Sequence, residues 1–464
     1  ASLLIKTREG RPIKIECNGL AGENGTTNAR VQASVLDLYD NQRLSGPLKN
    51  QENISWEDFY KEVSEKLEAV QLQNKAIVLL TQTYASPSTS KLISEFKAKY
   101  KNVSHVVYDA ISESHAADAY EAKYGRRGLP NYDFSKAKTI VSIGADFLGD
   151  WQGGGFDSAY AKGRIPKNGT MSRHIQFESN MSLSGANADK RVPLKPSQQK
   201  LALVRLYGKL TGSSVNVTLP PAIETEVDSA AKEISKAGTH AVVLTGIQDV
   251  NAQALVIAIN EFINSKAFDP KTTILTRQGN DKAVSALVKD MNIGNVGAVI
   301  MAGVNPVYTL PNASAFVEGL RKTPLSVVFS MKNDETASES QYVGAIPHYL
   351  ESWGDLEIKS GFFALTQPTI RPLFDTRQFQ EALLVLNGST FNYHDYIKSF
   401  WTETVLENST WNQALHDGIY RGTPLAPTDD AISKINKKPF NKASAVKALS
   451  KVKSSDFELT LYPK

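Results

Sequence analysis

The chain has 464 residues, of which 41% are hydrophobic and 22% charged, a composition typical of a folded protein with more than one core. Its 52 lysines and arginines nearly balance its 48 aspartates and glutamates, and no dense basic run is interleaved with aromatic residues, so nucleic acid is not an expected partner. Cys17 is the single cysteine, which excludes an intramolecular disulfide and any zinc or iron–sulfur site made of cysteines alone.

The N-terminal stretch SLLIKTREGRPIKIEC (2–17) contains two strand-like runs around Glu9-Gly10 and predicts a β-hairpin. A glycine-punctuated loop follows, of the kind that holds a metal cluster in many redox proteins, but one cysteine cannot provide the ligands of such a cluster. Next, SWEDFYKEVSEKLEAV (55–70) predicts an amphipathic helix with Ser55 as its N-cap.

Short apolar runs then alternate with helical patterns. Strands are predicted at 76–82, 105–110, 139–146, 240–246, 272–278, 297–303 and 325–331. Such runs between amphipathic helices indicate parallel α/β domains with helices on both faces of each sheet. The proline-bearing LPPAIETEV (219–227) is predicted to connect two such units, and the lysine-rich sequence after about residue 400 to be an irregular surface arm.

Two loops at predicted strand ends are candidate binding sites. The glycine-rich loop in TIVSIGADFLGDWQGGGF (139–156) could cradle a phosphate, or could be a tight turn whose glycines are conformational. MAGVNPVYTLP (301–311) places Gly303, Asn305 and Pro306 where α/β domains bind ligands, and it fits an ordinary strand-to-helix turn equally well.

A third candidate is the acidic segment 333–355, which contains His348 and Trp353. Metal ligation needs several convergent ligands, and a lone histidine in such a loop is more often structural. None of the histidines shows the spacing of a metal-binding motif: His105, His115, His174, His240, His348, His394 and His416. Neither a Gly-x-Ser-x-Gly elbow nor a usable cysteine nucleophile is present.

Taken in order, these segments resemble the molybdopterin oxidoreductase family of the dimethyl sulfoxide reductase type. The resemblance covers the hairpin, RVQASVLDLYDNQRLSGPLK, SWEDFYKEV, the G-x-N-P segment and DETASESQYVGAIPHYLESWGD. GGGFDSAYAKGRIP and MSRHIQFESNMSLSGANADKRVPLKPSQ are similar to one branch, the B subunits of alternative complex III, a bacterial quinol-oxidising respiratory assembly. The resemblance implies an α/β, molybdopterin-oxidoreductase-like, multi-domain fold with parallel sheets flanked by helices.

The resemblance also implies that the chain is cofactor-free. Where cluster-bearing relatives read C-x-[RK]-G, this sequence reads Asn28-Ala29-Arg30-Val31, and an amide cannot replace a thiolate as a cluster ligand. Cys17 falls at a glycine of the family pattern and is not a leftover ligand.

The molybdenum site of relatives corresponds to YDAISESHAADAY, which offers Ser112 or Ser114 as a ligand, so this region alone does not exclude the metal. Where relatives read V-D-P-R beside a nucleotide of the pterin, this chain has Gln176-Phe177-Glu178-Ser179. An acidic side chain beside a diphosphate is repelled unless it is neutralised. We therefore expect no catalytic, cofactor-binding or metal-binding residue in this chain.

Four regions are expected: an N-terminal hairpin with a degenerate cluster loop (1–56), a discontinuous α/β domain (57–108 plus 216–395), an inserted Rossmann-like domain (109–215) and the C-terminal arm (396–464). The G-x-N-P strand should share a sheet with the strand at 76–82. Since the chain begins and ends inside strand-like patterns, we expect further polypeptide beyond it.

The branch further implies a structural role on the periplasmic side of the bacterial inner membrane. Iron–sulfur clusters and haems are expected in a second half outside this sequence and in partners. Those partners are an iron–sulfur domain or subunit, haem c subunits and integral-membrane quinol-binding subunits, through which the chain would meet the membrane. Two alternatives remain open: a mononuclear molybdenum-pterin oxidoreductase without the N-terminal cluster, and a soluble α/β module that binds a small anionic ligand in the glycine-rich cleft.

Overall fold

The structure is a computed structural model that describes residues 2–24, 27–166, 169–425 and 440–462. Within these residues the strands, in chain order, are β1 Leu3–Arg8, β2 Arg11–Cys17, β3 Leu48–Lys49, β4 Glu52–Asn53, β5 Ala76–Thr81, β6 Val103–Val107, β7 Leu129–Tyr132, β8 Thr139–Ile143, β9 Arg173–Glu178, β10 Lys190–Pro193, β11 Ala241–Thr245, β12 Phe268–Ile274, β13 Val296–Ala302, β14 Leu325–Ser330, β15 Tyr342–Ala345, β16 Gly354–Lys359, β17 Phe362–Thr366 and β18 Ile419–Arg421.

The α-helices of the same residues are α1 Ala29–Ala33, α2 Trp56–Leu72, α3 Pro87–Lys99, α4 Ser114–Tyr124, α5 Asp157–Arg164, α6 Leu183–Ala186, α7 Pro196–Thr211, α8 Pro221–Ala237, α9 Val250–Phe262, α10 Asp281–Asn292, α11 Pro306–Thr309, α12 Ala313–Lys322, α13 Glu335–Ser338, α14 Phe379–Asn387, α15 Tyr393–Phe400, α16 Trp411–Asp417 and α17 Lys442–Leu449. A π-helical turn, Trp401–Val405, follows α15.

The chain forms two compact units. The first comprises Ala1–Ser112 and Gln278–Asp430, and the second comprises Glu113–Arg277 and Ala431–Lys464. Each apolar core cluster is made of side chains from one unit alone. No helix of the described ranges is both long and apolar enough to cross a bilayer.

The first unit is built on a seven-stranded sheet of order β4-β3-β15-β14-β13-β5-β6. Its five long strands are parallel, because helices connect them on the two faces of the sheet. β13, the G-x-N-P strand, pairs with β5 as predicted, with Val299 opposite Val78. α2 begins after Ser55, whose side chain accepts a hydrogen bond from Asp58 N, and it buries Phe59, Val63 and Leu67 against this sheet. The predicted helix is confirmed.

The N-terminal hairpin is confirmed as well. β1 and β2 pair antiparallel, and the turn between them has Glu9 at φ 51° and Gly10 at φ 75°. Ile15 of β2 packs in a small core with Val35 and Leu38 of the turn Ser34–Tyr39.

The second unit contains a parallel sheet of order β10-β9-β8-β11. Because β11 pairs with β8, residues 216–277 belong to this unit, and the predicted boundary at residue 215 is wrong. A strand's sheet depends on which neighbour it pairs with, and the local sequence of 241–245 is compatible with either sheet. β12 was expected in a parallel sheet, but it pairs antiparallel with β7.

The predicted connection at 219–227 is wrong too, since α8 begins there. Proline in the first turn of a helix removes no needed N–H donor, and Ile223, Val227, Ala230 and Ile234 face the core at helical spacing.

The expectation of an irregular arm at 396–464 is wrong for the described residues 396–425 and for α17. Ile397, Trp401 and Trp411 are buried in the main core of the first unit. Ala445 and Leu449 of α17 are buried in a core of the second unit. Residues 426–439 of the predicted arm lie outside the described residues.

Candidate functional site

The loop after the hairpin has no ligand set for a cluster among its described residues. Asn28 is the N-cap of α1, and its side-chain oxygen accepts a hydrogen bond from Val31 N at 2.9 Å. Cys17 is exposed, with Sγ 3.8 Å from Thr27 Oγ1. Throughout the described ranges, no three His, Cys, Asp or Glu side chains are grouped so that they could hold a metal ion. These residues do not fit an iron–sulfur cluster, which is held by thiolates.

The two serines considered as molybdenum ligands both make hydrogen bonds within their own units. Ser112 Oγ donates to Asp281 Oδ2 at 2.8 Å. Ser114 Oγ, in the first turn of α4, accepts from Arg127 Nη2 at 3.2 Å. Both hydroxyls therefore have structural partners.

Glu178 ends β9 and is buried. Its carboxylate accepts hydrogen bonds from Ser182 N at 3.2 Å, Ser182 Oγ at 2.6 Å and Gln176 Nε2 at 3.2 Å. It also pairs with Arg191 Nε at 2.6 Å. The loop after β9 is thus organised around a carboxylate of the chain itself.

This arrangement tests whether the loop fits a phosphate of a pterin nucleotide. A phosphate would be held by the amide, hydroxyl and guanidinium donors that Glu178 already occupies. The loop is also closed tightly, since a Cβ at Gly185 would overlap the carboxylate. A phosphate at this position would be repelled by the carboxylate of Glu178. The residues present do not fit this part of the cofactor.

The glycine-rich loop after β8 is held by hydrogen bonds between its own backbone groups. Gly153, Gly154 and Gly155 have φ of 91°, 77° and 90°, a region that favours glycine. The N–H groups of Gly153 and Gly154 donate to carbonyl oxygens within the loop, each at 3.0 Å. Gln152 N donates to the buried Glu113 Oε1 at 3.2 Å. The structure favours the conformational interpretation of the three glycines.

The G-x-N-P segment after β13 and the sequence Glu335-Thr336-Ala337 after β14 meet in the first unit. Asn305 Oδ1 accepts hydrogen bonds from Thr336 N at 3.2 Å and Thr336 Oγ1 at 2.7 Å, while Asn305 Nδ2 donates to Glu335 Oε2 at 2.7 Å. Thr336 Oγ1 in turn accepts from Val307 N at 3.1 Å. The bond from Asn305 holds the pKa of Glu335 below its usual range. These hydrogen bonds connect the ends of two strands, β13 and β14. They support the interpretation of the G-x-N-P segment as an ordinary strand-to-helix turn.

A buried ion pair joins two other motif segments. Arg43 Nη2 lies 2.5 Å from Glu351 Oε2, and both side chains are fully shielded from solvent. His348 N donates to the same oxygen at 2.7 Å. His348 Nδ1 accepts from Leu350 N, so Nε2 carries the proton that it donates to Ser34 O at 3.0 Å. Burial lowers the pKa of His348. This histidine is structural.

Sequence reasoning missed a cavity of about 560 Å³ in the first unit. Trp353, Arg371 and Arg377 line it together with Glu381, whose pKa is raised by burial. Glu381 Oε2 accepts the hydrogen bond from Gln378 N at 2.7 Å and so caps α14. The available signal was the run QPTIRPLFDTRQ (367–378), where prolines and arginines occur together. Besides its two arginines and the tryptophan ring, the lining contains the carboxylates of Glu351 and Glu381, and it contains no histidine, lysine or cysteine.

A buried polar cluster around Asp355 was missed as well. Its carboxylate accepts hydrogen bonds from Ser86 Oγ at 2.5 Å, Ser88 Oγ at 2.6 Å and Trp401 Nε1 at 2.9 Å. Burial raises the pKa of Asp355. Neither serine is accessible to a substrate, so the cluster is structural. No local pattern could have revealed it, because the partners are far apart in sequence.

Comparison with protein-family models finds none that matches the chain. The chain is 25% identical over 438 residues to the menaquinone reductase, molybdopterin-binding-like subunit of Nitratidesulfovibrio vulgaris (strain Hildenborough). The match covers 83% of this chain and 62% of that relative, so the chain spans less than two thirds of the relative's length.

Among solved structures, acetylene hydratase from Pelobacter acetylenicus has the same fold. The TM-score is 0.67 at 14% sequence identity, and the match covers 91% of this chain and 72% of the hydratase. The predicted fold class is confirmed: the chain has a mixed α/β, molybdopterin-oxidoreductase-like fold with parallel sheets flanked by helices.

Proposed function

We propose that the chain is a structural, non-catalytic part of a quinol-oxidising respiratory complex of the alternative complex III type. The observation that carries the proposal is the buried carboxylate of Glu178, which takes the donors that a pterin phosphate would need. The hydrogen-bonded Ser112 and Ser114 and the capping role of Asn28 support it. The name of the menaquinone reductase relative supports a role linked to quinones.

In this role the chain contributes packing surface, and electrons pass through neighbouring subunits. The proposed partners are an iron–sulfur domain or subunit, haem c subunits and integral-membrane quinol-binding subunits. The proposed location is the periplasmic side of the inner membrane, where partners hold the chain. Protease accessibility of a tagged chain in spheroplasts tests this location, and protection in intact spheroplasts with cleavage only after lysis would contradict it.

The first test is metal and pterin analysis of the complex isolated from native membranes. We expect no molybdenum or pterin assigned to this chain, because Ser112 and Ser114 are hydrogen-bonded within the protein and Glu178 occupies the donors of the described loop after β9. Stoichiometric molybdenum with pterin would establish the alternative, a molybdenum-pterin oxidoreductase without the N-terminal cluster.

A second test uses Ser112→Ala and Ser114→Ala in the assembled complex. Quinol oxidation should be unchanged in both variants, because neither hydroxyl binds a metal in the proposed role. Thermal unfolding serves as the second measurement. Each substitution removes one hydrogen bond and should lower the free energy of unfolding by about 1 kcal/mol. Turnover lost in a fully assembled variant would contradict the proposal.

The small-anion alternative was expected at the glycine-rich loop, where the N–H groups of Gly153 and Gly154 already have partners, so it is tested at the cavity lined by Arg371 and Arg377 instead. We expect titration calorimetry of the purified chain with inorganic phosphate to show no binding at this cavity. Arg371→Ala should therefore leave the titration unchanged. Saturable binding that this variant abolishes would favour the anion-binding module.

A further inference from the structure

The loop after β9 directs the hydrogen-bond donors of three residues at a single carboxylate. Ser182 contributes its N–H and its hydroxyl, Gln176 its side-chain amide and Arg191 its guanidinium, at 2.6 to 3.2 Å from the oxygens of Glu178. A guanidinium combined with neutral N–H and O–H donors is a set with which proteins bind carboxylate and phosphate ions. Glu178, which is only 3% exposed, occupies all of these donors.

The carboxylate lies where α/β domains bind their ligands. Glu178 is the last residue of β9, and β9 runs parallel to β8 and β10 on its two sides. Ligands of parallel sheets bind at the carboxyl ends of the strands. The Arg191 side chain is 27% exposed and that of Glu178 4%, so the guanidinium forms the solvent-facing side of the cluster. An ion from solution would therefore meet the guanidinium first.

Two of the donor residues are held in place by bonds that do not involve the carboxylate. Gln176 Oε1 accepts a hydrogen bond from His174 Nε2 at 3.1 Å, and Gln176 Nε2 also donates to Ala145 O at 3.1 Å. Ser182 Oγ accepts from Gly185 N at 3.0 Å. Because these bonds remain when the carboxylate is removed, the donors should keep their positions. A preorganised set of donors binds an ion at a lower entropic cost.

The backbone leaves space for a carboxylate beside Gly185. A Cβ atom at Gly185 would lie 1.8 Å from Glu178 Oε1, far inside van der Waals contact. Glu178→Ala removes one methylene group and the carboxylate, which together have the size of an acetate ion. That variant therefore leaves a space that fits acetate, next to buried donors that have lost their acceptor.

We propose that Glu178 is the tethered ligand of an anion-binding site, and that this site binds a free carboxylate ion once the Glu178 side chain is removed. Attachment to the chain gives the ligand a high effective concentration, so the loop is ordered without an external ion. The inference goes beyond the proposed function, because it concerns how this loop is ordered and holds whichever reaction the complex carries out.

The test is thermal unfolding of the purified Glu178→Ala chain at neutral pH in sodium acetate, in sodium chloride of the same ionic strength and in acetamide. In chloride the variant should unfold at a lower temperature than the unmodified chain, because buried donors lose their acceptor. Saturating acetate should raise the Tm of the variant by about 5 °C, since it binds only the folded state. Acetamide, which has the shape of acetate without its charge, should not, and acetate should leave the Tm of the unmodified chain unchanged.

Two double variants are the matched controls. Glu178→Ala with Gly185→Ala fills the vacated space with a methyl group, and Glu178→Ala with Arg191→Ala removes the charged donor. Neither should gain stability from acetate. Gly185→Ala should also lower the Tm of the unmodified chain far more than that of the Glu178→Ala variant, in which the overlap is absent. If Glu178→Ala does not fold in chloride, refolding from urea should succeed in acetate and fail in acetamide.

The inference would be overturned if acetate neither stabilised nor refolded Glu178→Ala, if acetamide acted equally well, or if either double variant kept the acetate effect. An equal acetate effect on the unmodified chain would overturn it too. Metal and pterin analysis of the native complex decides the proposed function separately. An acetate effect together with stoichiometric molybdenum and pterin would contradict the proposed function and leave this inference intact.

Discussion

At the residue scale, His174 is a buried histidine whose imidazole stays neutral in the folded protein. It has no exposed surface and packs against Phe147, with ring centroids 5.0 Å apart. Its Nε2 lies 3.1 Å from Gln176 Oε1. Burial lowers the pKa of His174 to about 4.

This shift predicts a pH-dependent stability. Because the unfolded histidine has the higher pKa, it binds a proton first as pH falls, and folding must keep it neutral. The free energy of unfolding therefore keeps its full value, as far as His174 is concerned, above about pH 6.5. It falls by on the order of 3 kcal/mol in all as the pH is lowered toward 4. Urea unfolding between pH 7 and pH 4 should show a shallower loss of stability in His174→Gln than in the unmodified chain.

His416→Gln is the matched control, since the His416 side chain is 79% exposed. Its pH dependence should follow that of the unmodified chain. If His174→Gln kept the full loss of stability, the neutral buried histidine would not be its cause.

The buried pair of Arg43 and Glu351 gives a second prediction at this scale. Glu351→Gln leaves the Arg43 guanidinium without its counter-charge in a dry environment, which costs about 3 to 5 kcal/mol. Urea unfolding monitored in the first unit measures the loss. Glu339→Gln, which removes an exposed pair with Arg321, should change stability by about 1 kcal/mol or less. Equal losses in the two variants would show that burial of the pair is unimportant.

At the element scale, α17 shows how a lysine-rich segment becomes ordered. Ala445 and Leu449 lie four residues apart on one helical face, and both are buried in the second unit. Asn441 caps the helix by accepting a hydrogen bond from Ser444 N at 3.1 Å. A narrow apolar stripe is enough to dock this helix, since its lysines stay in solvent.

Ala445→Asp should release α17 from the second unit, because it places an unpaired carboxylate in the core. Hydrogen exchange should then become fast throughout 442–449, while β8 and β11 stay protected. Ala448→Asp, on the exposed face of the same helix, should leave the exchange slow. Slow exchange in both variants would mean that Ala445 does not anchor the helix.

At the scale of the whole molecule, the two units have separate apolar cores. Chains with more than one core commonly unfold in more than one step. Calorimetry of the intact chain should therefore show two transitions. Glu351→Gln should lower only the transition of the first unit, and His174→Gln should alter only that of the second at acid pH. A single transition shifted by both variants would contradict independent units.

Local sequence accounts for most of the individual elements. Ser55 and the apolar spacing after it predict α2, and the apolar runs predict the parallel strands, because cap chemistry and periodicity are local properties. The single cysteine excludes an iron–sulfur site made of cysteines alone, and the acidic Glu178 disfavours a phosphate beside it, both through side-chain chemistry that the sequence shows directly. That β13 and β5 share a sheet was predicted correctly, but from the domain organisation that the family resemblance implies and not from local pattern.

Tertiary packing, in contrast, assigns each element to its unit and brings the polar groups together. β11 pairs with β8, and Asn305 accepts a hydrogen bond from Thr336. Asp355 accepts hydrogen bonds from two serines and a tryptophan, and all of these partners are distant in sequence. α17 is ordered because a core accepts Ala445 and Leu449, although its composition resembles a solvated arm. Such contacts follow from the global packing of the chain, which short-range propensity does not encode.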